Sequence, residues 1–356
     1  MSDLYTKAGV NIEAGNEVVK RIKKSVVSTH TKIVLTSIGH FGGLYDIGEV
    51  LKNYKHPILV QSIDGVGTKL LIARMANKYD SVGEDMVGHS CGDILAMGAK
   101  PLTFLDYVAS ETLVPKEMEQ IVSGMAKACR EAGVAILGGE TAEMPGVYAK
   151  GEHDIAGCIT GIVEKDKIIT GEKIKEGDVV LGLTSSGLHT NGFSLARKLV
   201  FEIAGHRINT KIPELGETVG EVLLKVHTNY TKPMLDILNS NIEIKGIAHI
   251  TGGGFIENIP RILPKTLDAE IIKDSWPMLS IFPFLQKIGN VNEREMYTAF
   301  NMGIGLVIVV SGTEKIKIEK IIKKYKKYNI YDIGKIIKGS GKVILKQNEH
   351  SRKNKL

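Results

Sequence analysis

Short apolar runs that end in glycine loops and give way to helical periodicity recur along this 356-residue chain, and the series occurs twice. The first series has apolar runs at 57–63, 102–108, 134–137 and 155–163, with the third halted by Gly138-Gly139. Between them, helical spacing covers 81–98 through Val82, Met86, Val87, Ile94 and Leu95. It also covers 116–132, where Met118, Ile121, Val122, Met125 and Cys129 share one face. A helix at 14–25 and a glycine loop at 39–43 come before, and a charged, lysine-rich stretch at 164–176 comes after. The second series has strands at 178–184, 244–250 and 303–310, a helix at 191–203, and a longer helix at 221–238 that Pro233 should disturb. Each series buries its apolar faces only if helices pack on a sheet. The expected fold class is therefore α+β, or mixed α/β, in two domains at 1–170 and 171–345, with a basic tail at 346–356. Length asks for the same division, because domains usually run to about 100–200 residues.

The formal charge of +6 raises nucleic acid as a partner, but its distribution argues against one. From Glu314 onward there are 14 Lys and Arg against four acids, so the chain before it is net acidic. Among those lysines Ile318, Ile321, Ile322 and Tyr325 fall at helical spacing, which describes a helix with one apolar and one solvated face. No stacking aromatics or reading motif accompany them, so no nucleic-acid partner is expected. No apolar run approaches the ~18–20 residues of a membrane span, and the N-terminal stretch lacks a secretory apolar region. A cytoplasmic protein without a membrane partner is the expectation. Cys91, Cys129 and Cys158 include no C-x-x-C pair and read as buried thiols in a reducing compartment.

The chemistry concentrates in three glycine loops. Asp64-Gly65-Val66-Gly67-Thr68-Lys69 follows an apolar run and precedes a helical one. Two glycines one residue apart let backbone N–H groups approach an anion, and Thr68 and Lys69 add a hydroxyl and a cation. Asp64 repels bare phosphate, yet fits if Mg²⁺ lies between them. A tight strand-to-helix turn explains the same glycines. Asp93, in the next helical segment, and Glu140, after Gly138-Gly139, are further oxygen ligands for such an ion, with Asp106 and Glu143 as weaker candidates. In the second half, Ser185-Ser186-Gly187-Leu188-His189-Thr190-Asn191-Gly192 and His249-Ile250-Thr251-Gly252-Gly253-Gly254 end strands and are rich in hydroxyls and glycine. They suit a sugar phosphate, and His189 and His249 can carry protons near neutral pH. A structural reading stands beside this one, with Asn191 as a helix cap and the glycines as a turn.

The strings AGVNIEAGNEVVKRIK, IDGVGTKL, GGETAEMPG, SSGLHTNGFSL, HITGGGFIENIPR and FNMGIGL, in this order, resemble the phosphoribosylformylglycinamidine cyclo-ligase family. The likeness runs from about Tyr5 to the strand after Asn301. It implies a homodimer whose N-terminal strands form a barrel shared across the dimer, with an ATP-binding and dimerisation domain followed by a substrate-binding α/β domain with a mixed sheet. It further implies that Asp64, Gly65, Val66, Gly67, Thr68 and Lys69 hold the ATP phosphates, that Lys23 approaches the nucleotide, and that Asp64, Asp93 and Glu140 share Mg²⁺. Ser185, Ser186, Gly187, His189, Asn191, Thr251, Gly252 and Gly253 would face the small-molecule substrate, formylglycinamidine ribonucleotide, with His189, His249 and Lys69 catalytic. Two positions depart from the family pattern: Gly92 stands where Asn is expected, and Ile63 where Thr is. Related nucleotide-binding chains fit less well. Selenophosphate synthetase-like chains carry a reactive residue near the N-terminus, hydrogenase-maturation relatives end in cysteine, and the amidotransferase of the preceding purine step is much longer. A non-catalytic nucleotide-binding dimer would tolerate loss of Asp64, Lys69, Asp93 or Glu140, and all four are present.

Overall fold

The computed structural model describes residue 9 and residues 11–348. It forms two compact units: one comprises the chain up to Ile94 with Ala99–Lys167, the other Leu95–Gly98 and the chain from Ile168.

The first unit is built on four strands, β1 (Pro57–Gly65), β2 (Lys100–Ser110), β3 (Ala135–Glu143) and β4 (His153–Glu164), in the order β1-β4-β2-β3. β4 is antiparallel to both β1 and β2, while β2 and β3 are parallel and joined through the helix Pro115–Ala132. Side chains alternate across the sheet. Phe104 and Val108 are buried on the helix side, whereas Leu59, Ile63, Leu105 and Tyr107 are exposed on the other. The helix Asp80–Leu95 meets the helix Pro115–Ala132 backbone to backbone. A Cβ on Gly83 would lie 1.9 Å from the Ile121 carbonyl oxygen, and one on Gly124 2.0 Å from that of Asp80. That contact fixes the helix carrying His89 and Asp93. A further helix, Ile12–Val27, packs on Pro115–Ala132 through Arg21–Glu119 (2.8 Å) and Ser25–Ser123 (3.3 Å).

One expectation fails here. β3 does not stop at Gly138-Gly139 but continues through both glycines to Glu143. Asp106 supplies the reason: its carboxylate oxygen would lie 2.4 Å from a Cβ on Gly139, so the glycine makes room for the neighbouring strand's acid.

The second unit carries β5 (Val179–Thr184), β6 (Ile244–His249), β7 (Leu267–Lys273), β8 (Ile304–Val310), β9 (Ile330–Lys338) and β10 (Val343–Gln347), in the order β10-β7-β9-β5-β8-β6. Only β10 and β7 pair in parallel, so the sheet is mixed. Every residue of β8 is buried. The expected helix over 221–238 is two helices, Val219–Leu223 and Thr231–Leu238. Pro233 does not cause the break. It sits in the first turn of the second helix, where its missing N–H would have had no intrahelical partner. The restart is set by Asn229, whose Oδ1 accepts from the Thr231 N–H (3.1 Å) and hydroxyl (2.7 Å). β10 runs to Gln347, into the expected tail, and the tail residues 349–356 lie outside the described residues. No helix among the described residues is long and apolar enough to cross a membrane.

Candidate active site

In the first unit the end of β1 and the helix Asp80–Leu95 bring Asp64, His89 and Asp93 together, with one donor atom of each within 4.8 Å of the others. His89 Nε2 is 2.8 Å from Asp64 Oδ2 and 3.8 Å from Asp93 Oδ2. Two hydrogen bonds orient the carboxylates: the Gly65 N–H donates to Asp64 Oδ1 (2.6 Å), and the Ser62 hydroxyl to Asp93 Oδ2 (3.1 Å). The imidazole's hydrogen bond holds the Asp64 carboxyl below the usual carboxylate range. Burial works to depress His89, but Asp64, Asp93 and Asp85 outweigh it, so its pKa rises. Half of the Asp64 side chain remains exposed, leaving an open side for water or a phosphate oxygen. The two carboxylates fit the oxygen preference of Mg²⁺, while the imidazole does not.

Three expected ligands lie elsewhere. Lys69 does not extend toward an anion. It opens the helix Lys69–Ala76 fully buried, with Nζ 2.7 Å from Asp85 Oδ2, an acid equally buried. Burial lowers the Lys69 pKa and Asp85 opposes that shift. Asp85, His89 and Asp93 are spaced by four residues and occupy one helix face. That face therefore ties the loop's lysine, Asp64 and Ser62 in succession. Glu140 stands apart because β3 continues: it pairs with Tyr107, which pairs with Ala156, which pairs with Gly65. It belongs to the row next to that of Asp64, on the opposite sheet face, and three strand spacings, ~14 Å, separate it from β1. Lys23 is exposed on the helix Ile12–Val27. Asp106, by contrast, shares the row and face of Asp64 across Gly157, and burial pushes its carboxyl up to about 7. Glu143 accepts from the backbone N–H groups of Asn11 and Leu113 and thus braces chain segments.

In the second unit the two glycine loops meet. Ser185 Oγ donates to the Gly187 carbonyl and to Asn301 Oδ1 (both 3.0 Å), and Asn301 Nδ2 returns a bond to the Gly187 carbonyl (2.9 Å). Asn191 Oδ1 lies 3.3 Å from the place a Cβ on Gly252 would take. Asn258 Nδ2 gathers the carbonyls of Thr251, Gly252 and Gly254 at 3.3, 3.1 and 2.8 Å, turning them away from any anion. Gly253 adopts φ +92°, the left-handed region that favours glycine.

Three buried imidazoles sit behind these loops. His189 and His227 stack with centroids 3.9 Å apart, and His227 Nε2 is 3.2 Å from His249 Nε2. The bonding pattern assigns their protons. His227 Nδ1 lies 3.0 Å from the Thr228 carbonyl and must donate, so a neutral His227 accepts at Nε2 from His249 Nε2–H. His189 Nε2 accepts from the N–H groups of Ser186 (3.4 Å) and Thr228 (3.3 Å), which makes His189 an organiser of the loop. His249, whose Nε2–H is engaged by His227, keeps Nδ1 as the basic nitrogen.

Two family models cover the chain in succession: "AIR synthase related protein, N-terminal domain" over residues 47–163 and its C-terminal counterpart over 175–346. Curated proteins named phosphoribosylformylglycinamidine cyclo-ligase match almost end to end. The one from Alkaliphilus oremlandii is 48% identical over 97% of this chain and 100% of its own length. That from Caldanaerobacter subterraneus is 49% identical over 96% and 99%. This chain belongs to the phosphoribosylformylglycinamidine cyclo-ligase family. Solved structures share the fold at low identity. Thiamine-monophosphate kinase from Stenotrophomonas maltophilia has a TM-score of 0.68 at 15% identity, over 92% of this chain and 95% of that one. The hydrogenase maturation protein HypE in complex with ATP has 0.60 at 15%, over 93% and 89%.

Within this cyclo-ligase family member, sequence reasoning missed His89, His227 and Asn301. His89 was findable: it precedes Asp93 by four residues on a helix, and i,i+4 residues share a face. Asn301 lies in FNMGIGL, one of the strings that carry the family resemblance. His227 had no such signal, because it lies in a stretch read as helix.

Proposed function

We propose that this chain closes the imidazole ring of aminoimidazole ribonucleotide, converting formylglycinamidine ribonucleotide and ATP to product, ADP and phosphate in de novo purine biosynthesis. The observation that carries this reading is the cluster of Asp64, His89 and Asp93 beside a glycine loop, in a chain nearly half identical to named cyclo-ligases over nearly full length. ATP is the co-substrate, the same nucleotide that HypE, a protein of like fold, holds in its complex. Its phosphates would meet the backbone N–H groups of residues 65–68, with a divalent ion, Mg²⁺ in the ordinary case, on Asp64 and Asp93. Such an ion neutralises charge on the transferring phosphoryl group. Lys69 contributes by holding the loop to the helix Asp80–Leu95.

The formyl oxygen of the substrate takes the γ-phosphoryl group, ADP leaves, and an iminophosphate results. The amidine nitrogen then attacks the formyl carbon, the C–O bond breaks, and phosphate departs with the original formyl oxygen. Ser185, Ser186, Gly187, Asn191, Thr251, Gly252 and Gly253 form the proposed sugar-phosphate pocket, and His249 Nδ1 takes the proton from the attacking nitrogen.

A cytoplasmic homodimer completes the proposal. The three cysteines are free thiols, which suits a reducing compartment. Leu59 and Ile63 are 59% and 70% exposed on the sheet face opposite the helices, with Leu105 and Tyr107 alongside. A second copy of that sheet would cover them and form a shared barrel, with Glu140 on the covered face. The test is phosphate release from ATP with formylglycinamidine ribonucleotide present and absent. Turnover that ignores the substrate contradicts the reading.

A further inference from the structure

We propose that the Asp64–His89–Asp93 cluster is a mixed nitrogen–oxygen centre that binds Mn²⁺, or another divalent ion that accepts imidazole, in preference to Mg²⁺, with His89 as a direct ligand. The inference rests on the proposed metal-assisted role of Asp64 and Asp93 and specifies which ion they take.

Geometry makes the imidazole hard to avoid. An octahedral ion with bonds of about 2.1 Å has neighbouring ligand atoms about 3.0 Å apart and opposite ones about 4.2 Å apart. Nε2 of His89 lies 2.8 Å from one carboxylate oxygen and 3.8 Å from the other. The first separation matches a neighbouring pair, the second lies between a neighbouring and an opposite pair, and the three donor atoms all lie within 4.8 Å of one another. An ion held by Asp64 and Asp93 would therefore have Nε2 within reach of its shell.

The ring cannot swing aside to leave an all-oxygen site. His89 is 3% exposed and sits in the middle of the helix Asp80–Leu95, whose backbone is locked against its neighbour at Gly83 and Gly124. Withdrawing it would leave a void in a packed interior. The carboxylates are also oriented from outside, Asp64 by the Gly65 N–H and Asp93 by the Ser62 hydroxyl. Outer hydrogen bonds of this kind hold ligands at metal centres.

The donor set then selects the ion. Mg²⁺ dehydrates reluctantly and is ordinarily held by oxygen, whereas imidazole suits transition ions such as Fe, Ni and Zn, and Mn²⁺, the transition ion that shares the carboxylate preference, joins the two donor types. A site of two carboxylates and one imidazole, open on the exposed side of Asp64, therefore retains Mg²⁺ weakly. It holds Mn²⁺ with positions left for water and phosphate oxygens.

The test uses the full chain without nucleotide, titrated with Mn²⁺ and followed by electron paramagnetic resonance and electron spin-echo modulation. Bound Mn²⁺ should show the ¹⁴N modulation of a directly coordinated imidazole, and His89→Gln should abolish it. In that variant the Mn²⁺ dissociation constant should rise by about tenfold or more, while that of Mg²⁺ changes much less. Asp64→Asn, at a half-exposed position, should weaken Mn²⁺ to a similar degree, and thermal unfolding of both variants separates lost coordination from lost folding. Mn²⁺ bound without ¹⁴N modulation, no Mn²⁺ bound at all, or an unchanged Mn²⁺-to-Mg²⁺ ratio in His89→Gln overturns the proposal. Ring closure measured separately keeps the two ideas apart. Turnover with Mg²⁺ and no ¹⁴N signal sinks only the mixed centre, whereas a ¹⁴N signal without turnover under any metal sinks only the catalytic reading.

Discussion

Replacing Lys69 separates a phosphate ligand from a structural clamp. Both Lys69 and Asp85 are fully buried with charged atoms 2.7 Å apart. Lys69→Met leaves the Asp85 carboxylate in the interior without its ammonium partner, and breaking a buried pair from one side costs about 3–5 kcal/mol. For a domain of 150–250 residues each kcal/mol lowers Tm by about 2–4 °C, so the expected fall is roughly 6–20 °C. Adding Asp85→Leu removes the stranded charge. Apolar replacements of buried pairs are often near neutral, so the double variant should recover most of the loss. Thermal unfolding of the wild type, both single variants and the double variant closes the cycle, with ATP binding by calorimetry on each folded protein. The double variant should bind ATP within about threefold of wild type, because backbone N–H groups rather than Lys69 meet the phosphates. A Lys69→Met protein of wild-type Tm that no longer binds ATP would refute this reasoning and return Lys69 to the nucleotide.

Three further outcomes are expected. Asp106 has its folded pKa raised to about 7, so the folded state holds a proton that the unfolded chain releases near 4. Its contribution is fully present below about pH 4 and is lost as pH rises toward 7, by at most about 4 kcal/mol. Asp106→Asn should therefore flatten the decline in urea-unfolding stability between about pH 4 and 7, and an unchanged slope would contradict the buried acid. His227→Leu removes the acceptor for His249 Nε2–H and should lower kcat about tenfold, the worth of one hydrogen bond near 1.4 kcal/mol, with little change in KM. His227→Gln should recover part of that loss, and a change confined to KM would assign His227 to substrate binding. Ile63→Lys places a charge in the exposed apolar face of β1 and should shift the molar mass by light scattering from dimer to monomer, whereas a dimer that persists would move the interface elsewhere.

Where local periodicity dominates, the sequence was readable. The helix expected at 116–132 forms at Pro115–Ala132, because its apolar residues repeat on one face and Gly133 closes it in the left-handed region at φ +70°. β8, an unbroken apolar run, was equally plain. The failures share a cause in tertiary contact. Gly138-Gly139 looks like a stop, yet the Asp106 carboxylate on the adjacent strand makes glycine the residue that a continuing strand requires. The apolar spacing over 221–238 suits one helix, but Asn229 ties down Thr231 at the start of a second and the intervening turn carries His227 inward. β7, β9 and β10 escaped notice because lysines interrupt their alternation, as with Lys335 and Lys346, which both pair with Glu270. For the site, the approach of Asp64 to Asp93 followed from loop and helix placement. The burial of Lys69 and the outward face of Glu140 depended on a partner acid and a strand register that no local pattern records.

The most direct measurement follows an oxygen atom. Formylglycinamidine ribonucleotide carrying ¹⁸O in its formyl group, turned over with unlabelled ATP in ordinary water, should yield inorganic phosphate containing the ¹⁸O, one atom per ring closed. Phosphate free of label, with the ¹⁸O recovered in water, would mean that the formyl oxygen never accepted the phosphoryl group, and the proposed chemistry would be wrong.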